Sequence, residues 1–241
     1  GWSYHLEQPE GPLTYNGVVY NEMKGAFSSP DEVLQRVMMN SLYPDTTYGV
    51  ESGGDPKDIP SLTYENFLAF HQKYYHPSNS YIYLYGNMDM EEKLAFLDEH
   101  YLSHFDYLDV DSVIQEQKAF GACQDVTLEY PVAENEGEED NTYLSYNMVV
   151  GNAADSQMAM AFEVLDYALL SAPGAPLKQA LLDVKAGKDV YGSYDDGILQ
   201  PYFTVIAKGS NPDRKEEFVS VIRQVLGDIV KNGIDKKAVE A

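Results

Sequence analysis

Five histidines, His5, His71, His76, His100 and His104, are the side chains best suited to hold a metal or move a proton near neutral pH. His100 and His104 stand four apart in a segment whose pattern predicts a helix over 89–104, so both rings can share one face and grip a metal. A hydrolytic zinc site also wants a glutamate base beside such a pair, as in HExxH or HxxEH. Here Tyr101, Leu102 and Ser103 fill the interval and Glu99 points elsewhere. A polar helix face is the better reading of this pair. His71 and His76 are five apart, which suits one face poorly. His71 reads as a core residue and His76 as a cation favoured at a helix C-terminus.

Other chemistries find little support. Cys123, the single cysteine, has no histidine nearby to activate it as a nucleophile, and it excludes an intrachain disulfide. SGGDP at 52–56 lacks the lysine of a phosphate loop; GxGxxG and GxSxG are absent. The acidic run Glu134–Asp140 lacks the ligand alternation of a calcium loop and reads as solvated. Glu22 lies in GVVYNEMK at 17–24, where Val18, Val19 and Met23 can form one apolar helical face and leave the carboxylate on another. Taken alone it is an ordinary helix glutamate.

The elements that must position these residues follow from pattern and punctuation. Gly25 interrupts the first helix. Ser29, Pro30 and Glu32 form a capping signature for a second, whose stripe is Val33, Leu34, Val37, Met38 and Leu42. Residues 44–60 read as an extended loop rich in Gly, Pro and Asp. Thr63 opens a helix that stops at His76-Pro77, because a residue before proline leaves the helical region. YIYLYG at 81–86 reads as a strand. Beyond a linker at 109–123, strands are expected at 125–130, 143–150, 189–195 and 201–208. Helices are expected at 155–171, at 176–186 and from Pro212 to Lys231, the last capped by Asn211. GIDKKAVEA at the C-terminus reads as the opening of a further helix. Two units result, 1–108 and 124–241, each with strands and helices in antiparallel-style order. That order favours an α+β class over a doubly wound sheet.

Bulk composition narrows the partners. The 241 residues carry 39 acidic against 16 basic side chains, a formal charge of -23. Nucleic acid is repelled, anionic membrane surfaces are disfavoured, and cationic peptides are attracted. No apolar run has membrane-spanning length. One cysteine and the absence of a leader-like N-terminus fit a reducing, cytoplasmic setting.

Several longer strings carry a resemblance. GVVYNEMKGAF at 17–27, LYPDTTYGVESGGDP at 42–56 and FHQKYYHPSNSYIYLYGN at 70–87 resemble, in order, segments of the presequence protease branch of the pitrilysin/insulinase zinc metallopeptidases. NTYLSYNMVVG and LLSAPGAPLKQAL at 169–181 resemble the opening of that family's second domain. The resemblance implies two α/β-sandwich domains, both incomplete: the later part of the first, catalytic domain at 1–108, and most of the second at 124–241.

It also implies zinc held by two histidines of HxxEH and a downstream glutamate, with the motif's own glutamate as base. Glu22 matches the downstream ligand. HxxEH occurs nowhere in the chain, so the base and two ligands are expected on an upstream segment of the same polypeptide, and the wall of a peptide-enclosing chamber on a C-terminal half. The chain alone is therefore expected neither to hydrolyse peptides nor to hold zinc tightly. A non-catalytic homologue that serves as a structural or peptide-binding subunit is the alternative.

Overall fold

A computed structural model describes residues 1–234. The expected helix in GIDKKAVEA lies largely outside them. The contacts group 1–24 with 53–114, and 25–52 with the chain from 115 on. The sequence alone predicts all of 1–108 as one unit. Side chains of 38–48 supply the reason, since they pack with the second unit.

The second unit is built on three antiparallel strands in the order β3-β5-β4: β3 (Thr142–Val149), β4 (Asp189–Asp195) and β5 (Tyr202–Ser210). With the helices, this is the α+β class expected. Central β5 is buried from Tyr202 to Ala207. Successive side chains on a strand point to opposite faces, so β5 needs a cover on each side. Phe203, Val205 and Ala207 face a core shared with Leu177 and Leu181 of α6 (Pro176–Asp183) and with Phe218 and Ile222 of α7 (Lys215–Asn232). Tyr202 meets Met38 of α2 (Pro30–Leu42) and Tyr43 just beyond it.

Tyr43 has no exposed surface, and its hydroxyl donates to the Gln200 carbonyl at 2.6 Å. Burial first, then neighbouring tyrosines and Asp195, push this phenol far above the usual tyrosine range, so it stays a donor. Gln117 extends the join. Its side-chain oxygen accepts from Asp45 N–H at 2.9 Å, and its amide donates to Asp45 Oδ2 at 2.8 Å. Its backbone N–H donates to Gln200 Oε1 at 2.6 Å, and Gln200 Nε2 returns a bond to its carbonyl at 3.2 Å. A glutamine buried to 7 % exposure inside a largely exposed linker is explained by these bonds.

The first unit is thinner. β1 (Ser3–His5) and β2 (Thr14–Asn16) pair antiparallel, with Trp2, Tyr4 and Tyr15 rings packed over the pair. Helices α1 (Val18–Ala26), α3 (Tyr64–Tyr74) and α4 (Met90–His100) follow. Met23 and Ile59 are its buried hydrophobic side chains among the described residues.

Several local expectations are corrected. α1 runs through Gly25 to Ala26. Ser29 has the extended backbone of a cap and Pro30 follows it, but the Ser29 side chain makes no cap bond; Asp31 and Glu32 supply negative charge in the first turn instead. Asn211 does not cap α7 because its side chain exchanges bonds of 2.8 and 2.9 Å with Asp140. Residues 81–86 and 125–130 form no ladder among the described residues. Their composition suits a pleated surface, but a strand also needs a partner for its N–H and C=O groups. Tyr81, Tyr83 and Tyr85 stand exposed in consequence. The helix expected over 155–171 is α5 (Ser156–Asp166) followed by a π turn at Tyr167–Ser171, which buries Ala168, Leu169 and Leu170.

Tyr43→Phe is expected to cost about 1–2 kcal/mol of the second unit's stability through the unpaired carbonyl. Tyr43→Ala should cost about 3–5 kcal/mol through the added cavity. Urea unfolding followed by far-UV circular dichroism reads both. Equal stability of Tyr43→Phe and wild type would mean that the hydroxyl contributes nothing.

Candidate functional site

Glu22 is the sequence-derived site residue, and its position is set by the start of α1. Asn16 Oδ1 accepts from the Gly17 N–H at 2.9 Å and from Asn21 Nδ2 at 2.7 Å, tying the turn before the helix to its first turn. Tyr20 packs edge-on to Tyr15 at 5.9 Å, and the Lys24 ammonium sits 5.6 Å from the Tyr20 ring. Met23 is the one residue that α1 buries. Successive helix residues are about 100° apart, so burying Met23 leaves Glu22 turned to solvent, where it is exposed.

A carboxylate is a competent zinc ligand, but a catalytic zinc takes three protein ligands and keeps a fourth position for water. Among the described residues no three His, Cys, Asp or Glu side chains gather closely enough to hold a metal ion. Glu22 can thus furnish one donor of a set, and the described residues do not complete a zinc site.

The histidines are dispersed. His100 ends α4 with its ring 4.7 Å from Phe96, while His104 lies in a separate 3-10 turn at Leu102–His104, so the two do not share a helix face. His71 is exposed and stacks on Tyr75 at 4.7 Å, contrary to the core position expected for it. His76 Nδ1 accepts from the Ser78 N–H at 3.2 Å. Cys123 is free and exposed.

A polar cluster that pattern reading misses lies where α2 meets the sheet. Asp31 accepts from Lys208 Nζ at 2.9 Å and from the Tyr191 hydroxyl at 2.9 Å, with the Tyr143 hydroxyl at 3.5 Å. Burial works to raise the Asp31 carboxyl, but the bonds from Lys208, Tyr191 and Tyr143 outweigh it and hold it below the usual range. Contacts with Tyr143 and then Asp31 push Lys208 up, while burial and then the Asp31 bond push Tyr191 up to about 12. A lysine and a tyrosine held protonated are neither bases nor nucleophiles at neutral pH. The cluster pins α2 to the sheet. Its members lie up to 177 residues apart, and no local spacing announces them.

The model of the peptidase M16 inactive domain matches residues 61–241. Protein HypA of Clostridium perfringens is 50% identical over 241 residues, which are 100% of this chain and 25% of that protein. Presequence protease 1, chloroplastic/mitochondrial, of Arabidopsis thaliana is 38% identical over 100% of this chain and 23% of its own length. The chain therefore spans about a quarter of these relatives. A crystal structure of a peptidase M16 inactive domain from Pseudomonas fluorescens superposes with a TM-score of 0.63 at 21% identity, over 91% of this chain and 52% of that one. An M16-like peptidase structure from Alicyclobacillus acidocaldarius gives 0.54 at 18%, over 92% and 52%. These two likenesses bear on the fold.

Lys208 and Asp31 are both more than a third exposed, so water screens their attraction and the pair is worth less than about 1 kcal/mol. Because the folded Asp31 is lowered, its contribution is complete above about pH 3.9, the usual unfolded value, and is lost as pH falls through the folded one. Asp31→Asn should therefore melt slightly below wild type at pH 7, with the two converging in strong acid. A constant gap across thermal melts from pH 7 to 2 would contradict the coupling.

Proposed function

The chain belongs to the peptidase M16 family, and from that membership we propose that it is the non-catalytic complement of a zinc endopeptidase site. In this reading Glu22 is the carboxylate ligand of a zinc whose histidines and base lie on another segment of the longer polypeptide. The observation that carries it is Glu22 itself. The carboxylate is exposed on a helix whose one buried residue is its neighbour Met23. No hydrogen bond or ion pair ties it to another side chain among the described residues.

Zinc, when bound in the longer protein, would supply Lewis-acid chemistry at a peptide carbonyl. This chain's part is to present one negative oxygen donor on a rigid element. The presequence proteases among the relatives support a peptidase parent, and their greater length leaves room for the site's other residues on further segments. We further assign peptides as the substrate class. Basic peptides are favoured by the charge of -23, through faster encounter rather than tighter contact.

A second reading starts from the matched inactive-domain model, which covers 61–241 and leaves out Glu22. On that reading the longer protein binds peptides without cleaving them, and Glu22 is an ordinary solvated glutamate.

The two readings separate in the longer polypeptide. Glu22→Gln is expected to lower zinc affinity by about a hundredfold, since even the outer partners of metal ligands contribute about 10–100-fold. Competition with a chromogenic chelator measures it. The same polypeptide with Glu22 intact should cleave an unfolded peptide, and the 241-residue chain alone should not. Unchanged zinc affinity in Glu22→Gln would sink the ligand assignment.

A further inference from the structure

SGGDP at 52–56 carries no phosphate-loop lysine, yet a Cβ on either of its glycines would press on a buried side chain of the first unit. A Cβ on Gly53 would lie 2.2 Å from Sδ and 2.8 Å from Cε of Met23. Gly54 has φ +89°, in the left-handed region that side chains other than glycine rarely adopt, and a Cβ there would lie 3.1 Å from Ile59 Cγ1. Met23 and Ile59 are the two buried hydrophobic side chains of the first unit among the described residues. The diglycine is therefore the floor on which that small core closes. One of the two residues resting on it is the immediate chain neighbour of Glu22.

We propose that Gly53 is a positioning residue for Glu22, acting through Met23. The missing Cβ leaves a slot for the Met23 thioether, and the slot fixes how far α1 rolls about its axis. Met23 is the one residue α1 buries, and the helix's other contacts, Tyr20 on Tyr15 and Asn21 on Asn16, lie nearer its start. Any Cβ at 53 forces the thioether out or the helix to turn. Met is flexible enough to leave, and on leaving it surrenders the contact that orients the helix. A turn of the helix carries the carboxylate with it, because residues 22 and 23 are rigidly about 100° apart. The proposal rests on the reading of Glu22 as a ligand, and its test keeps the two separable.

Gly53→Ala, Met23→Ala, the double variant and Glu22→Gln are compared in two settings. In the 241-residue chain, the Met23 methyl resonance and the amide exchange of α1 report the slot. Gly53→Ala should move the methyl toward its solvent-exposed shift and speed α1 exchange about tenfold while the far-UV spectrum stays folded. Added to Met23→Ala, the same substitution should change α1 exchange less than about twofold, because the atoms it strikes are already gone.

In the longer polypeptide, Gly53→Ala should lower zinc retention, Glu22→Gln should lower it further, and the double variant should match Met23→Ala. Additive effects of the two substitutions, or a Gly53→Ala protein with wild-type exchange and wild-type zinc, would overturn the positioning role. Full zinc retention in Glu22→Gln would instead overturn the ligand reading, and the exchange cycle would then still decide whether Gly53 seats Met23.

Discussion

β5 buries six consecutive side chains, Tyr202 to Ala207, and a strand buried on both faces must be covered on both. One face is met by helices that follow from ordinary amphipathic patterns, with Leu177, Leu181, Phe218 and Ile222 closing over Phe203 and Val205. The other face ends in Tyr202, whose hydroxyl accepts from Gln35 Nε2 at 3.0 Å and donates to Asp195 at 3.0 Å. That face has to be covered by something both apolar and able to hydrogen bond. Tyr43, Met38 and the Asp45–Gln117–Gln200 join meet the requirement. The segment 25–52 therefore groups with strands more than a hundred residues downstream, although it follows α1 directly in the chain.

The first unit has a different balance. With Met23 and Ile59 as its buried hydrophobic side chains among the described residues, it holds α1 by a few specific contacts more than by area. Such an element is oriented by shape, and a single methyl group in the wrong place is felt. A helix held in this way presents Glu22 without burying it, so the carboxylate stays hydrated. The same economy leaves Phe67 and Phe70 of α3 and the tyrosines of 81–85 exposed.

Much of the fold was legible because its signals are local. Thr63 caps α3 in a reciprocal box with Asn66, Asp89 and Asp155 cap α4 and α5, and the strands at 142–149, 189–195 and 202–210 fall within a few residues of their expected positions. What failed was whatever depends on a partner distant in sequence. YIYLYG has every mark of a strand and no ladder among the described residues, since propensity describes a surface and not the strand beside it. Ser29 and Asn211 have capping residue types, but Ser29 makes no cap bond and Asn211 is claimed by Asp140. Asp31 reads as a first-turn acid, and only the folded chain brings Lys208 and Tyr191 to it. Glu22 carries no chemical signal of its own, because a lone helix glutamate has none. The NEMKG string singled it out by resemblance, and its exposure on α1 follows from the spacing to Met23.

Anomalous diffraction at the zinc edge, from crystals of the longer polypeptide grown with zinc, tests the proposed division of a metal site most directly. The expected result is a single strong peak about 2.0–2.2 Å from a Glu22 carboxylate oxygen, the ordinary zinc–carboxylate distance. A zinc peak ligated wholly by other residues, with Glu22 facing bulk water, would contradict it.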